Sequence, residues 1–129
     1  MHLLQLRYTD IPVEDTHSQP TPDSINDNRR SEIDQLDKLG SAYLSQNLVE
    51  RAIDCYEKAL AIAREIGDRH SEGKKFGNLG NAYADMGQIE RARELYLQAL
   101  TIFKSILPAD HPYIQNIRGN LSRLSLWPI

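Results

Sequence analysis

The chain has 129 residues, which is enough for one domain with a modest core. Its 15 Lys and Arg residues against 18 Asp and Glu residues give a net charge of -3, so no basic excess favours nucleic acid as a partner. The single cysteine excludes an internal disulfide framework, and no stretch reaches the roughly 18 apolar residues that cross a bilayer. These features predict a cytoplasmic protein that binds neither nucleic acid nor membranes.

Residues 1–28 differ in composition from the rest of the chain. They are rich in Pro, Asp, Ser, Thr and Asn and hold little apolar content to offset the entropy of ordering. We therefore expect a flexible N-terminal tail over 1–28. For its first part, HLLQLRY, the alternatives are an internal cap on an open end of the domain or an autoinhibitory segment in a groove.

From about Arg29 the apolar residues recur at spacings of three and four, which predicts amphipathic helices over 29–129. A first hairpin is predicted over about 30–67, with a turn at Asn47, a residue that tolerates the left-handed conformation at a helix end. A second hairpin over about 70–107 has Gly87 at the matching place.

A final helix is predicted over about 111–125. Asp110 is expected to cap it, and Pro112 is expected to lie in its first turn, where the missing N–H costs nothing. No strand is predicted in the helical region, so the fold class is all-α.

Two stretches of the chain repeat each other. LDKLGSAYLSQNLVERAIDCYEKAL, residues 36–60, and FGNLGNAYADMGQIERARELYLQAL, residues 76–100, share ten identical positions at an offset of 40. A helix hairpin cannot bury its apolar face alone, so a second hairpin of the same shape is expected to stack on it. The repeated positions are Leu39/Leu79, Gly40/Gly80, Ala42/Ala82, Tyr43/Tyr83, Glu50/Glu90, Arg51/Arg91, Ala52/Ala92, Tyr56/Tyr96, Ala59/Ala99 and Leu60/Leu100.

These residues resemble the tetratricopeptide repeat, whose pattern is W-x2-L-G-x2-Y followed by A-x3-F and P. The period of 40 is longer than the family's usual ~34, and the closing proline is missing after the first copy. The long hairpin, NLGNAY and DHP are similar to the repeats of kinesin light chain and of spindle-orientation adaptors. The resemblance implies a right-handed α-α superhelix of antiparallel hairpins with about two and a half repeats.

The resemblance also implies a non-catalytic scaffold or adaptor that binds a protein partner, as a peptide or helical segment, in a concave groove lined by the first helix of each hairpin. Three columns of residues are expected to line this groove, and they lack the run of Lys and Arg of a carboxylate clamp. The columns are Asp34, Lys74 and Asn116; Lys38, Asn78 and Asn120; Ser41, Asn81 and Arg123.

No enzyme, cofactor or metal site is predicted. GDRHSEGKK departs from a phosphate-binding loop in its glycine spacing, has Lys75 where that loop has Ser or Thr, and follows no predicted strand. Cys55 corresponds to Leu95 in the second copy, which indicates a packing residue. The four histidines show no ligand spacing.

The alternative function is a self-associating structural module that dimerises through an open repeat end or the C-terminal helix. Arrays of this kind usually need about three repeats, and the last helix is expected to leave an apolar face partly uncovered. Trp127 would then contribute an apolar anchor.

Overall fold

The computed structural model describes residues 22–125, and the predictions on HLLQLRY and Trp127 lie outside these residues. Within this range all regular structure is helical, and consecutive helices pack against each other. The array of antiparallel hairpins predicted from the sequence is therefore confirmed. Its helices are α1 (Pro22–Ser45), α2 (Val49–Glu65), α3 (Arg69–Asp85), α4 (Ile89–Ile106) and α5 (Pro112–Ser125).

The first three helices end in the same tight turn. Asn47, Gly67 and Gly87 have φ values of 61°, 71° and 75°, so all three are left-handed as the turn requires. In each turn the following N–H donates to a carbonyl in the last turn of the helix, at 2.9 Å. The predicted turns at Asn47 and Gly87 are confirmed.

Two helix starts differ in detail from the sequence prediction. Helix α1 begins at Pro22 and not near Arg29, because a proline is well suited to a first turn even where the following residues are polar. The prediction that Asp110 caps α5 is wrong. The Tyr113 N–H instead donates to Nδ1 of His111, at 3.1 Å.

In each hairpin, a glycine of the first helix packs against a tyrosine ring of the second helix. A Cβ atom on Gly40 would lie 2.8 Å from the ring of Tyr56, and a Cβ atom on Gly80 would lie 2.7 Å from the ring of Tyr96. Both tyrosines are buried in the core. The repeated glycines therefore allow the two helices of a hairpin to approach closely.

The core lies between α2, α3 and α4 and continues onto α5 through Ile114 and Ile117. The stacking of the second hairpin on the first also buries Lys75, which is only 1% exposed and forms an ion pair with Asp37 of α1. Burial lowers the pKa of Lys75, and the hydrogen bond to Asp37 opposes this shift. Sequence periodicity did not predict this buried pair.

Leu39 of α1, one of the ten repeated residues, has 45% of its surface exposed. Its counterpart Leu79 is 2% exposed, because the first hairpin covers α3. No described element covers the same face of α1. At the other end, the apolar stripe of α5 is mostly buried, so the expected uncovered apolar face of α5 is not found among residues 112–125.

Candidate peptide-binding groove

A groove lies between α3 and α5, with a volume of about 140 Å³. Its floor is apolar, formed by Gly77, Phe103, Tyr113 and Ile117. Its walls are polar and contain residues from all three predicted columns. These are Lys74, Asn78 and Asn81 of α3 and Asn116 and Asn120 of α5.

Gly77 allows α5 to approach α3 at the floor of the groove. A Cβ atom at this position would lie 3.2 Å from Cδ1 of Ile117, closer than an ordinary van der Waals contact. Glycine inside a helix costs up to about 1 kcal/mol relative to alanine, so its presence here has a packing reason.

Asn81 and Asn120 belong to a hydrogen-bond network that crosses the groove. Asn81 Oδ1 accepts from the Tyr96 hydroxyl and from Asn120 Nδ2, the latter at 3.4 Å. Arg123 donates to Asn120 Oδ1. Burial raises the pKa of Tyr96 to about 12. The network therefore fixes the orientation of both amides.

Asn78 and Asn116 differ from these two residues because the side-chain amide of neither makes a hydrogen bond within the described part of the chain. Their side-chain amides can each donate and accept toward a ligand. Lys74 lies beside them, with Nζ 6.0 Å from the centroid of the Tyr113 ring. Tyr113 is held in turn by Phe103 and His111, at centroid distances of 5.4 and 4.9 Å.

Arg123 lines a second cavity of about 450 Å³ that shares Asn81 and Asn120 with the groove. The structure thus brings six of the nine predicted residues together along α3 and α5. The other three, Asp34, Lys38 and Ser41, lie exposed on α1 and line neither cavity. Ser41 contacts Tyr56 at 3.3 Å, in the place that Asn81 takes beside Tyr96.

Sequence reasoning missed the aromatic and apolar floor of the groove. Tyr113 and Phe103 have no identical partner in the first copy, so the repeat gave no sign of them. Gly77 takes the place of Asp37 in the first copy, and this departure from the repeat is a signal that could have indicated the close contact between α3 and α5.

The described residues hold no cluster of His, Cys, Asp and Glu that could bind a metal ion. Nor is any helix among residues 22–125 both long and apolar enough for a membrane span.

Comparison with known proteins identifies the family. The tetratricopeptide repeat profile matches residues 32–105, more than half of the chain, and the chain belongs to this family. Repeats of this family generally mediate protein–protein interactions and act as non-catalytic scaffolds.

A solved structure shares the fold. It is a protein from Podosopora anserina described as a kinesin light chain with nearly identical TPR-like repeats, and it superposes with a TM-score of 0.63 at 26% sequence identity. The match covers 71% of the present chain but only 44% of that longer chain. No curated protein matches the chain at a significant level.

Proposed function

We propose that the chain is a non-catalytic adaptor that holds a peptide or helical segment of a partner protein in the groove between α3 and α5. The observation that carries this proposal is the pair of unbonded amides, Asn78 and Asn116, on opposite walls of one groove. Each amide can pair with both the N–H and the C=O of an extended peptide. The Asn81–Asn120 network continues the same polar wall toward Arg123.

The apolar floor adds a place for one side chain of the bound segment. Tyr113 and Phe103 present aromatic surface at the base of the groove, and such surface supplies large contact area with little loss of side-chain entropy. Lys74 beside Tyr113 favours an acidic residue at this end of the segment. The α1 members of the predicted columns, Asp34, Lys38 and Ser41, do not line this groove, and the proposal assigns them no contact with the bound segment.

The test compares a variant of the groove with a control variant at an equivalent position of the first copy. The double variant Asn78→Ala/Asn116→Ala removes the unbonded amides, and Lys38→Ala, the counterpart of Asn78 on α1, is the matched control. Proteins captured from a cell extract by the tagged full chain are identified, and their affinities are then measured by calorimetry. We expect the double variant to weaken binding by at least about tenfold, and Lys38→Ala to leave it unchanged.

Equal affinities for both variants would place the working surface outside the groove. Circular dichroism of each variant provides the folding control, because neither substitution touches the core.

The second candidate function is self-association through the open face of α1. Leu39 and Ala42 are exposed there, although Leu79 and Ala82 at the matching places on α3 are buried. Apolar side chains exposed together favour a contact with another surface. Light scattering after size exclusion tests this, and a dimer that Leu39→Glu converts to a monomer is the expected result. A monomer at about 100 μM full chain would overturn it.

We also propose a cytoplasmic location. Its support is the buried free thiol of Cys55 in a chain with a single cysteine. Imaging of a fluorescent fusion tests it, and a secreted or organellar signal would contradict it.

A further inference from the structure

A third pocket, here called the outer pocket, lies on the side of α3 that faces away from the groove. It has a volume of about 340 Å³ and is lined by residues that include Arg64, Arg69, Glu72, Phe76, Leu97 and Thr101. Residues 69, 72 and 76 lie roughly half a turn around α3 from residues 74, 78 and 81. The outer pocket is therefore separate from the groove of the proposed function.

Two arginines meet one buried carboxylate in this pocket. Arg64 Nε lies 3.3 Å and Arg69 Nη1 lies 3.0 Å from the two carboxylate oxygens of Glu72. Both arginine side chains are about half exposed, at 54% and 51%, whereas the Glu72 side chain is 11% exposed. The trio thus carries one net positive charge, and it presents that charge to solvent.

The arginines keep donors for a ligand. Each guanidinium has five N–H groups, and Glu72 engages only one nitrogen of each. Their remaining N–H groups have no partner within residues 24–125. The guanidinium of Arg64 also lies 5.2 Å from the centroid of the Phe76 ring. Arg64 is therefore held by both Glu72 and Phe76, and Arg69 is held by Glu72.

The rim of the outer pocket contains an apolar residue that the fold does not need. Leu97 is 48% exposed, and the corresponding residue of the first copy is Glu57. The same helix surface thus carries a charge in the first copy, and Leu97 is not among the buried residues of the core. A large exposed apolar side chain beside unpaired cationic donors is typical of a binding surface.

We propose that the outer pocket docks a partner protein segment in which an acidic side chain lies next to a large apolar one. The carboxylate pairs with the free N–H groups of Arg64 and Arg69, for which bidentate geometry is favourable. The apolar side chain packs on Leu97 over Phe76. The net positive charge of the trio selects an acidic segment over a neutral or basic one.

The test uses a fluorescein-labelled peptide with the core Glu-Glu-Leu-Leu and the full chain, followed by fluorescence anisotropy. Two comparison peptides replace the acids by Gln or the leucines by Ser. We expect each replacement to weaken binding by about tenfold or more. Added salt should lower the affinity for the Glu-Glu-Leu-Leu peptide more than the affinity for the peptide with Gln in place of Glu. Equal binding of all three peptides, or no binding at about 1 mM, would overturn the proposal.

Variants locate the site. Leu97→Glu introduces the residue of the first copy and so is compatible with the fold, and Arg64→Lys keeps the charge beside Glu72 but removes the donor fork. Both variants are expected to bind the acidic peptide with an affinity lowered by about tenfold. Arg91→Gln is the matched control, because Arg91 is also half exposed and stacked on an aromatic ring, Tyr83, outside the pocket.

The groove variant Asn78→Ala/Asn116→Ala separates the two sites. It should leave the peptide affinity unchanged if the outer pocket holds the acidic segment. Loss of binding in that variant, with retention in Leu97→Glu, would assign the peptide to the groove and overturn the outer pocket while sparing the proposed function.

Discussion

Helices α1 and α3 take the same place in their hairpins but meet different surroundings. Gly40 and Gly80 contact a tyrosine ring in the same way, at 2.8 and 2.7 Å for an added Cβ atom. Leu39 and Leu79, one residue earlier, are 45% and 2% exposed. The repeated residues therefore serve two interfaces. The one within a hairpin is complete in both copies, and the one between hairpins is complete only where a preceding hairpin is present.

The largest expected difference in the free energy of unfolding is between alanine substitutions at Leu79 and at Leu39. Leu79→Ala leaves a cavity between the hairpins and should lower the free energy of unfolding by about 3 kcal/mol. Leu39→Ala removes a half-exposed side chain and should cost less than about 1 kcal/mol. Urea unfolding of the full chain measures both. Equal losses would contradict the open face of α1 and would indicate that another surface covers it in solution.

A smaller difference in stability is expected between methionine substitutions at Lys75 and at Gln35, the exposed residue that takes the place of Lys75 in the first copy. Lys75→Met leaves Asp37 without its partner, and Asp37 Oδ1 already has no hydrogen bond among the described residues. Because Asp37 is partly exposed, we expect a loss of about 2 kcal/mol at neutral pH, below the usual cost for a fully buried pair. Gln35→Met should change stability by less than about 0.5 kcal/mol.

The Asp37→Leu/Lys75→Met double variant should recover most of that loss, because it removes the unpaired charge as well. A double variant no better than Lys75→Met would show that the cost lies in packing.

The same lysine predicts a pH dependence. Burial lowers the pKa of Lys75 in the folded state below its ordinary value of 10.5, so the unfolded chain binds more protons between the two values. The contribution of Lys75 to stability should therefore rise as pH increases through that window. The difference in unfolding free energy between the natural chain and Lys75→Met, measured from pH 7 upward, should grow with pH. A constant difference would contradict a lowered pKa.

The smallest effect concerns the turns. Gly87→Ala places a Cβ atom on a residue in the left-handed conformation, so it should lower the free energy of unfolding by about 1 kcal/mol. Asn47→Gly should raise it by about 0.3 kcal/mol. Thermal unfolding measures both. Gly119→Ala is the control for glycine in an ordinary helix, where an added Cβ atom has room and should stabilise α5 by up to about 1 kcal/mol. A destabilised Gly119→Ala would show that glycine is needed there for another reason.

Much of the fold followed from the sequence because local rules govern it. The turn at Asn47 depends only on the tolerance of one residue for a positive φ, and the Gly40 and Gly80 contacts depend on a spacing that both copies share. The cap at His111 escaped prediction because Asp110 is the commoner capping residue type.

The groove was only partly predictable for a different reason. Asn78 and Asn116 were found from their columns, but periodicity cannot tell which members of a column face the same cavity. Lys38 was placed with them although α1 lies outside this groove. Lys75 was missed because its burial depends on a neighbouring helix and on Asp37, which is distant in sequence.

The shared backbone geometry at Asn47 and Gly87 has a consequence for how such a chain can lengthen. Asn47 and Gly87, which bound the 40-residue unit 47–86, have the same left-handed conformation, with φ values of 61° and 75°. A tandem duplication of 47–86 in the gene would join Met86 to a new Asn47 in a turn that the chain already makes. The product would gain one further pair of helices, and its new joint between Met86 and Asn47 would lie in a turn and not inside a helix. Growth by unequal recombination therefore needs no compensating mutation at the joint.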